Sequence, residues 1–193
     1  MPIQFVLIYR PISLFRNIIG NRDVKPENNE ALKEIAQHTS IPIATGERMF
    51  SRWQFKHLLM DGHVDIIQPD LSHAGGITEG KKIISMAEAY DVAAAPHCPL
   101  GPVALAACLQ VDATCYNAFI QEQSLGMHYH EGREHQYLTD PSIFTFQDGY
   151  AARPLGPGLG IEVDEEAVRR ADEIGHSWRS PVWRHDDGGF AEW

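Results

Sequence analysis

Four ionisable side chains recur at nearly regular intervals along the middle of the chain. They are Glu47, Asp70, His97 and Glu122, and successive members are 23, 27 and 25 residues apart. Each follows a short apolar run of the kind that forms a buried strand. Brought together, carboxylates of this kind could hold a divalent cation, and a histidine oriented by one of them could act as a general base. The pattern therefore indicates proton-transfer chemistry.

Short strands that alternate with helices would place these side chains. Right-handed crossovers bring the carboxyl end of every parallel strand to the same face, where β/α barrels carry their catalytic groups. We therefore expect an α/β fold with the four side chains on one face. Outside the alternating region, we predict a strand over Phe5–Tyr9 and a helix over Asp164–Ile174. The alternating strands are predicted over Ile41–Ala44, Val64–Gln68, Val92–Ala95 and Ala118–Gln121, and the helices over a stretch from Pro26 and over Ser51–Met60, Gly76–Tyr90 and Gly101–Ala113.

Taken one at a time, each of these residues has a simpler interpretation. Glu47 could cap the following helix, and Asp70 could stabilise a turn. His97 lies among prolines and could be a hydrogen-bonded loop residue, whereas Glu122 could be a solvated surface carboxylate. The regular spacing favours a shared site over four unrelated roles, because one strand-helix unit separates each residue from the next.

Composition limits the classes of function. The chain has 193 residues, of which 44% are apolar and 22% are charged, as in an ordinary globular domain. Its net charge of −10 argues against a nucleic-acid partner. No apolar run approaches the roughly 20 residues that cross a bilayer. The three cysteines lack metal-binding or disulfide spacing, and they favour a cytoplasmic location.

Several long motifs lie in order along the chain after residue 25. They are PENNE (26–30), IATGERMFSR (43–52), QPDLSHAGGIT (68–78), APHCPLGP (95–102), QEQS (121–124) and WRHD (183–186). Together they resemble the D-galactonate dehydratase family, in the mandelate racemase subgroup of the enolase superfamily. The likeness covers residues 26–193 and implies the carboxyl-terminal half of a (β/α)₈ barrel over 26–138. It also implies a tail over 139–193 that would pack on a capping domain, and a divergent segment over 1–25.

The resemblance also implies a role for each of the four residues. Glu47 would be a Mg²⁺ ligand, and His97 would be the base that takes the substrate's C2 proton. Asp70 would raise the basicity of His97, and Glu122 would stabilise the enediolate. The implied reaction removes water from D-galactonate to give 2-dehydro-3-deoxy-D-galactonate, with gluconate or another aldonate as an alternative substrate.

The same resemblance implies that parts of the site come from elsewhere. Two further metal ligands and a general-acid histidine would precede the matching region, and the family's Glu-Glu-Pro pattern is replaced here by Asn21, Arg22 and Asp23. A cation such as Arg22 in that position would repel Mg²⁺. We therefore expect either an inactive fragment or a subunit that needs a homo-oligomeric partner or a complementary amino-terminal half.

Overall fold

The architecture is described from a computed structural model that covers residues 5–6, 28–125, 137–175, 184 and 187–188. The expectations for Asn21, Arg22 and Asp23 lie outside these residues. The prediction of a strand over Phe5–Tyr9 can be followed only at its first two residues, which form strand β1 (Phe5–Val6).

A parallel sheet forms the centre of the described chain. Strand β3 (Ile66–Ile67) lies between β2 (Ala44–Thr45) and β4 (Ala93–Ala94), and a parallel bridge joins Ala94 to Ala118 on the far side. Four α-helices alternate with these strands. They are α1 (Asn29–His38), α2 (Arg52–Asp61), α3 (Gly76–Glu88) and α4 (Pro102–Asp112).

The strands are shorter than the sequence predicts, because each holds two residues in the ladder rather than four or five. Prolines flank them: Pro42 precedes β2, Pro69 follows β3 and Pro96 follows β4. Proline has no backbone N–H to donate, so the regular ladder is interrupted where these residues occur. Pairing resumes one residue later as a parallel bridge between Asp70 and His97.

The helices confirm the predicted positions to within a few residues, and their ends show why. The Asn28 side chain accepts a hydrogen bond from the Ala31 amide at the start of α1 (3.1 Å). Helix α2 ends at Gly62, whose φ of 67° suits a residue without a side chain. Among the described helices, none has both the length and the apolar character needed to span a bilayer. The inward faces form the core with residues such as Leu32, Ile35, Phe55, Leu58, Leu59, Ile83, Ile84 and Ala87.

The tail forms a second, antiparallel sheet with the start of the chain. Strand β6 (Tyr150–Ala151) pairs with β1 on one side and with β5 (Phe146–Gln147) on the other, after a 3₁₀-helix over Pro141–Phe144. The predicted last helix is confirmed as α5 (Glu165–Ile174).

One polar side chain on α4 joins the tail to the rest of the chain. Gln110 donates hydrogen bonds to the carbonyls of Pro154 (2.9 Å) and Leu159 (3.1 Å), and it accepts one from Arg153 (2.9 Å). The glycine-rich turn between these carbonyls closes tightly on itself. Gly160 has a φ of +77°, and a Cβ there would lie 2.6 Å from the Cβ of Pro154.

Candidate active site

A histidine and an aspartate from adjacent strand ends are hydrogen-bonded to each other. His97 follows β4 and Asp70 follows β3, and the bridge between their backbones brings the side chains together. The distance from His97 Nδ1 to Asp70 Oδ2 is 2.9 Å. An ionised carboxylate only accepts hydrogen bonds, so Nδ1 carries a proton, and in the neutral imidazole Nε2 then keeps a free lone pair. This is the arrangement of an oriented general base.

The pair has opposing pKa shifts. Burial disfavours a charged imidazolium, but the hydrogen bond to Asp70 and the carboxylates of Glu122 and Glu47 outweigh it and raise the pKa of His97. Burial alone would raise the pKa of Asp70, but the bond from His97 and the amide of Ser72 hold that pKa below its usual value. The protonated histidine and the ionised aspartate therefore stabilise each other.

Asp70 also organises its own turn, as the simpler interpretation suggested. Its Oδ1 accepts hydrogen bonds from the backbone amides of Ser72 (2.7 Å) and His73 (3.3 Å). The side chain is 1% exposed and cannot swing away. The turn role and the contact with His97 thus occur together, because the first fixes the carboxylate for the second.

Glu47 faces the free nitrogen of the histidine. Its Oε2 lies 3.6 Å from His97 Nε2. Gly46 leads the chain from β2 to this position with a φ of +131°, and a Cβ there would lie 2.7 Å from Phe55 Cε1, so a side chain would not fit. Glu47 does not cap the next helix, because the N-cap of α2 is Ser51.

The described residues do not assemble a complete metal site. No group of three or more His, Cys, Asp or Glu side chains within that part of the chain is placed to hold an ion. Mg²⁺ prefers near-octahedral oxygen coordination, so Glu47 alone fits as one ligand and not as a site. Any further protein ligands would have to come from outside the described residues.

Glu122 is half-buried rather than solvated, so the simpler interpretation of this residue is wrong. Its Oε2 is buried and has no hydrogen-bond partner among the described residues. Burial is the main cause that raises the pKa of Glu122, Glu47 adds to it, and His97 acts in the opposite direction. A protonated Glu122 could donate a hydrogen bond to negative charge developing on a substrate oxygen.

Sequence reasoning missed a second histidine at this aspartate. His73 Nδ1 lies 3.3 Å from Asp70 Oδ2, the oxygen that His97 also contacts. The His73 ring packs edge-on against Phe50, with 6.1 Å between ring centroids. Its position three residues after Asp70 in the same turn was the available signal.

One cleft among the described residues lies away from these four side chains. It has a volume of about 370 Å³ and runs beneath the amino ends of β2 and β3, where Ile43, His63 and Asp65 are among its lining residues. None of the four predicted site residues lines it. We therefore locate the site by the side-chain geometry and not by this cavity.

Comparison with known proteins identifies the family. The sequence matches the family described as enolase C-terminal domain-like over residues 24–167. The chain belongs to this family. The predicted relationship to D-galactonate dehydratases is also confirmed, since the chain is 52% identical to the one from Xanthomonas axonopodis pv. citri (strain 306), over 96% of this chain and 49% of that protein. It is 52% identical to the one from Ralstonia pickettii (strain 12J), over 100% of this chain and 50% of that protein.

A solved structure extends the likeness to the fold. An enolase from Agrobacterium radiobacter, with bound sodium and L-malate, is 32% identical and superposes with a TM-score of 0.72 over 86% of this chain and 44% of that one. The α/β fold of an enolase-family chain is thus confirmed, whereas the partial barrel stays a prediction. The chain spans about half the length of the curated relatives it matches.

Proposed function

We propose that this chain supplies the proton-abstracting part of an acid-sugar dehydratase that acts on D-galactonate. The observation that carries the proposal is the 2.9 Å bond from His97 to Asp70, which leaves Nε2 directed toward Glu47. The relatives named D-galactonate dehydratase support the choice of substrate, and another aldonate such as gluconate is the alternative.

In the proposed reaction, His97 Nε2 takes the proton from C2 of the substrate. The electron pair of that bond moves into the carboxylate to give an enediolate, and Asp70 stabilises the imidazolium that forms. A protonated Glu122 donates a hydrogen bond to the enediolate oxygen. The C3 hydroxyl leaves as water with one proton, which the general-acid histidine implied by the resemblance would supply. The resulting enol loses its O2 proton and takes a proton at C3 to give 2-dehydro-3-deoxy-D-galactonate.

Mg²⁺ is the cofactor that we assign to this site. Enolase-superfamily sites pair a Lys or His base with Mg²⁺, which stabilises the enediolate charge when bound. Glu47 would be its ligand in this chain. Because no group of three or more candidate ligands comes together among the described residues, our second candidate function is that of one half of a composite site, completed by another copy or by a complementary amino-terminal half.

The test follows 2-keto acid formation and exchange of the C2 proton in D₂O. Purified chain is incubated with Mg²⁺ and D-galactonate, and D-gluconate runs in parallel. A second sample adds the separately expressed amino-terminal half of the Ralstonia pickettii relative. Turnover by the chain alone supports the first form of the proposal, and turnover only in the mixture supports the composite site. Folded protein without exchange in either sample would contradict both.

A further inference from the structure

Three polar side chains join the segment after α4 to strand β4 and the residues beyond it. Each donates a hydrogen bond to a backbone carbonyl 25 positions earlier in the chain. The bonds run from Asn117 Nδ2 to Val92 (2.9 Å), from Gln121 Nε2 to Pro96 (2.9 Å) and from Ser124 Oγ to Pro99 (2.8 Å). These side-chain bonds therefore keep a constant offset of 25 residues along the two segments.

Side chains make these bonds for a physical reason. Past the backbone bridge at Ala94 and Ala118, the β4 segment contains Pro96 and Pro99, which have no N–H to donate to a neighbouring strand. Pro96 is buried, so its carbonyl needs a hydrogen-bond partner, whereas Pro99 is exposed. The amide of Gln121 and the hydroxyl of Ser124 satisfy these carbonyls in place of a ladder.

The same 25-residue offset separates two residues of the site. His97 and Glu122 are also 25 positions apart, and they lie between the bond at Gln121 and the bond at Ser124. Each of these two groups affects the pKa of the other electrostatically. The bonds at Gln121 and Ser124 therefore hold the backbone around Glu122 against the segment that carries His97.

Gln121 is the stronger of the two flanking contacts. Its side chain is fully buried, and besides Pro96 its Nε2 donates to the carbonyl of Glu122 (2.6 Å). One amide group therefore binds the residue before His97 and the backbone of Glu122 itself. Ser124 is half-buried and makes a single bond.

We propose that Gln121 is a positioning residue that holds Glu122 alongside His97, with Ser124 as a second contact. The inference rests on the proposed function, in which both side chains act on one substrate carbon and its carboxylate. Gln121 itself need not touch the substrate.

Asn117 provides a matched control. Its amide nitrogen also donates to two carbonyls, those of Ile84 and Val92, so its loss removes bonds of the same kind. These bonds lie at the amino end of β4, away from His97. A general loss of stability would affect both variants, whereas a loss of site geometry would affect only Gln121.

The experiment measures how strongly Glu122 acts on the imidazole of His97, and it needs no turnover. The ¹H–¹³C NMR signal of the His97 ring is recorded at one pH in EDTA. It is compared with and without Glu122→Gln in four backgrounds, which are the natural sequence, Gln121→Met, Ser124→Ala and Asn117→Ala. We expect Glu122→Gln to shift the signal in the natural sequence and in Asn117→Ala. In Gln121→Met the shift should fall by about half or more, since the contact depends on sub-ångström placement.

The size of the Glu122→Gln shift in each background decides whether Gln121 positions Glu122. An unreduced shift in folded Gln121→Met overturns the proposal, and so does the lack of any shift in the natural sequence. If Gln121→Met does not fold, Ser124→Ala decides, because a reduced shift supports the proposal and an unchanged one overturns it. The expected shifts in folded protein that shows no exchange, either alone or in the mixture, would contradict the proposed function and leave the role of Gln121 supported. In a preparation that turns over, Gln121→Met should lower kcat about tenfold or more relative to the natural sequence, and it should change KM less than about threefold.

Discussion

The carboxylate of Asp70 is shared between two imidazoles at different distances. His97 Nδ1 lies 2.9 Å from Oδ2 and His73 Nδ1 lies 3.3 Å from the same oxygen, while backbone amides of the turn bind Oδ1. The shorter contact is made by the more buried histidine, where a charge-assisted hydrogen bond is stronger. The negative charge of Asp70 therefore acts mainly on His97.

Replacing Asp70 should lower the pKa of His97. In Asp70→Asn the imidazolium loses its hydrogen-bonded anion and keeps its burial, so the titration midpoint moves to lower pH. In the natural chain, the folded pKa is raised above the usual 6.5, so the stabilisation is complete below 6.5 and is lost as the pH rises through the raised pKa. NMR titration of the His97 ring in EDTA measures the midpoint, and an unchanged or higher value would contradict the assignment.

Loss of the base should abolish proton abstraction. In the preparation that turns over, we expect His97→Asn to slow C2 exchange by roughly 10²–10⁴-fold, the usual contribution of a general base. His73→Asn is the matched control, because it removes an imidazole from the same aspartate but leaves Nε2 of His97 in place. It should retain exchange to within about tenfold. Equal losses in the two variants would argue against His97 as the base. Deuterium incorporation at C2 is followed by NMR.

Glu47→Gln should weaken Mg²⁺ binding more than it changes the fold. The substitution keeps the shape of the side chain and removes the negative charge that a hard cation needs. Glu88→Gln, which neutralises an exposed acid on α3, is the control. Isothermal calorimetry in the assembled preparation gives the affinities, and equal affinity in the two variants would remove Glu47 from the metal site.

At the scale of elements, the helices could be predicted from the sequence and the strand lengths could not. Apolar periodicity and end signals such as Asn28 and Gly62 act locally, so they are visible in a single sequence. The two-residue strands result from prolines whose effect depends on which neighbour they face. Gln121 was missed for a related reason, since its partner is a carbonyl 25 residues away. The proximity of Asp70 and His97 could be foreseen, because parallel strands end on one face.

The tail turn provides a test of element packing. Gly158 and Gly160 both have positive φ, at +64° and +77°, but only Gly160 is crowded, by Pro154. Alanine at Gly158 should cost about 1–2 kcal/mol for the left-handed backbone. Alanine at Gly160 should cost about 1–3 kcal/mol more, since atoms of Pro154 must move. Urea unfolding measures both, and equal effects would contradict the crowding.

At the scale of the whole molecule, one buried carboxyl should influence the pH dependence of stability. Asp112 is 2% exposed, and neither of its carboxyl oxygens has a partner among the described residues. Burial raises the pKa of Asp112 well above the usual 3.8. Between the usual pKa and the raised pKa, the folded state therefore binds more protons than the unfolded state. The contribution of Asp112 to the free energy of unfolding should therefore fall as pH rises through that window.

Asp112→Asn should remove this decline. Asparagine cannot ionise, so the variant should lose less stability than the natural chain between pH 4 and neutral pH. Thermal or urea unfolding at several pH values provides the comparison. Equal slopes in the natural chain and in Asp112→Asn would contradict the raised pKa of Asp112.

The bonds from Gln110 to the tail also bear on how the chain is made. The carbonyls it binds belong to Pro154 and Leu159, which are synthesised 44 and 49 residues after it. At ordinary rates of translation, that interval lasts roughly 2–10 s. Helix α4 is buried along most of its length in the folded chain. During translation it therefore lacks its contacts with the tail until Pro154 and Leu159 have been synthesised. We expect a chaperone of nascent chains to bind α4 mainly during this interval, because its apolar surface is then exposed.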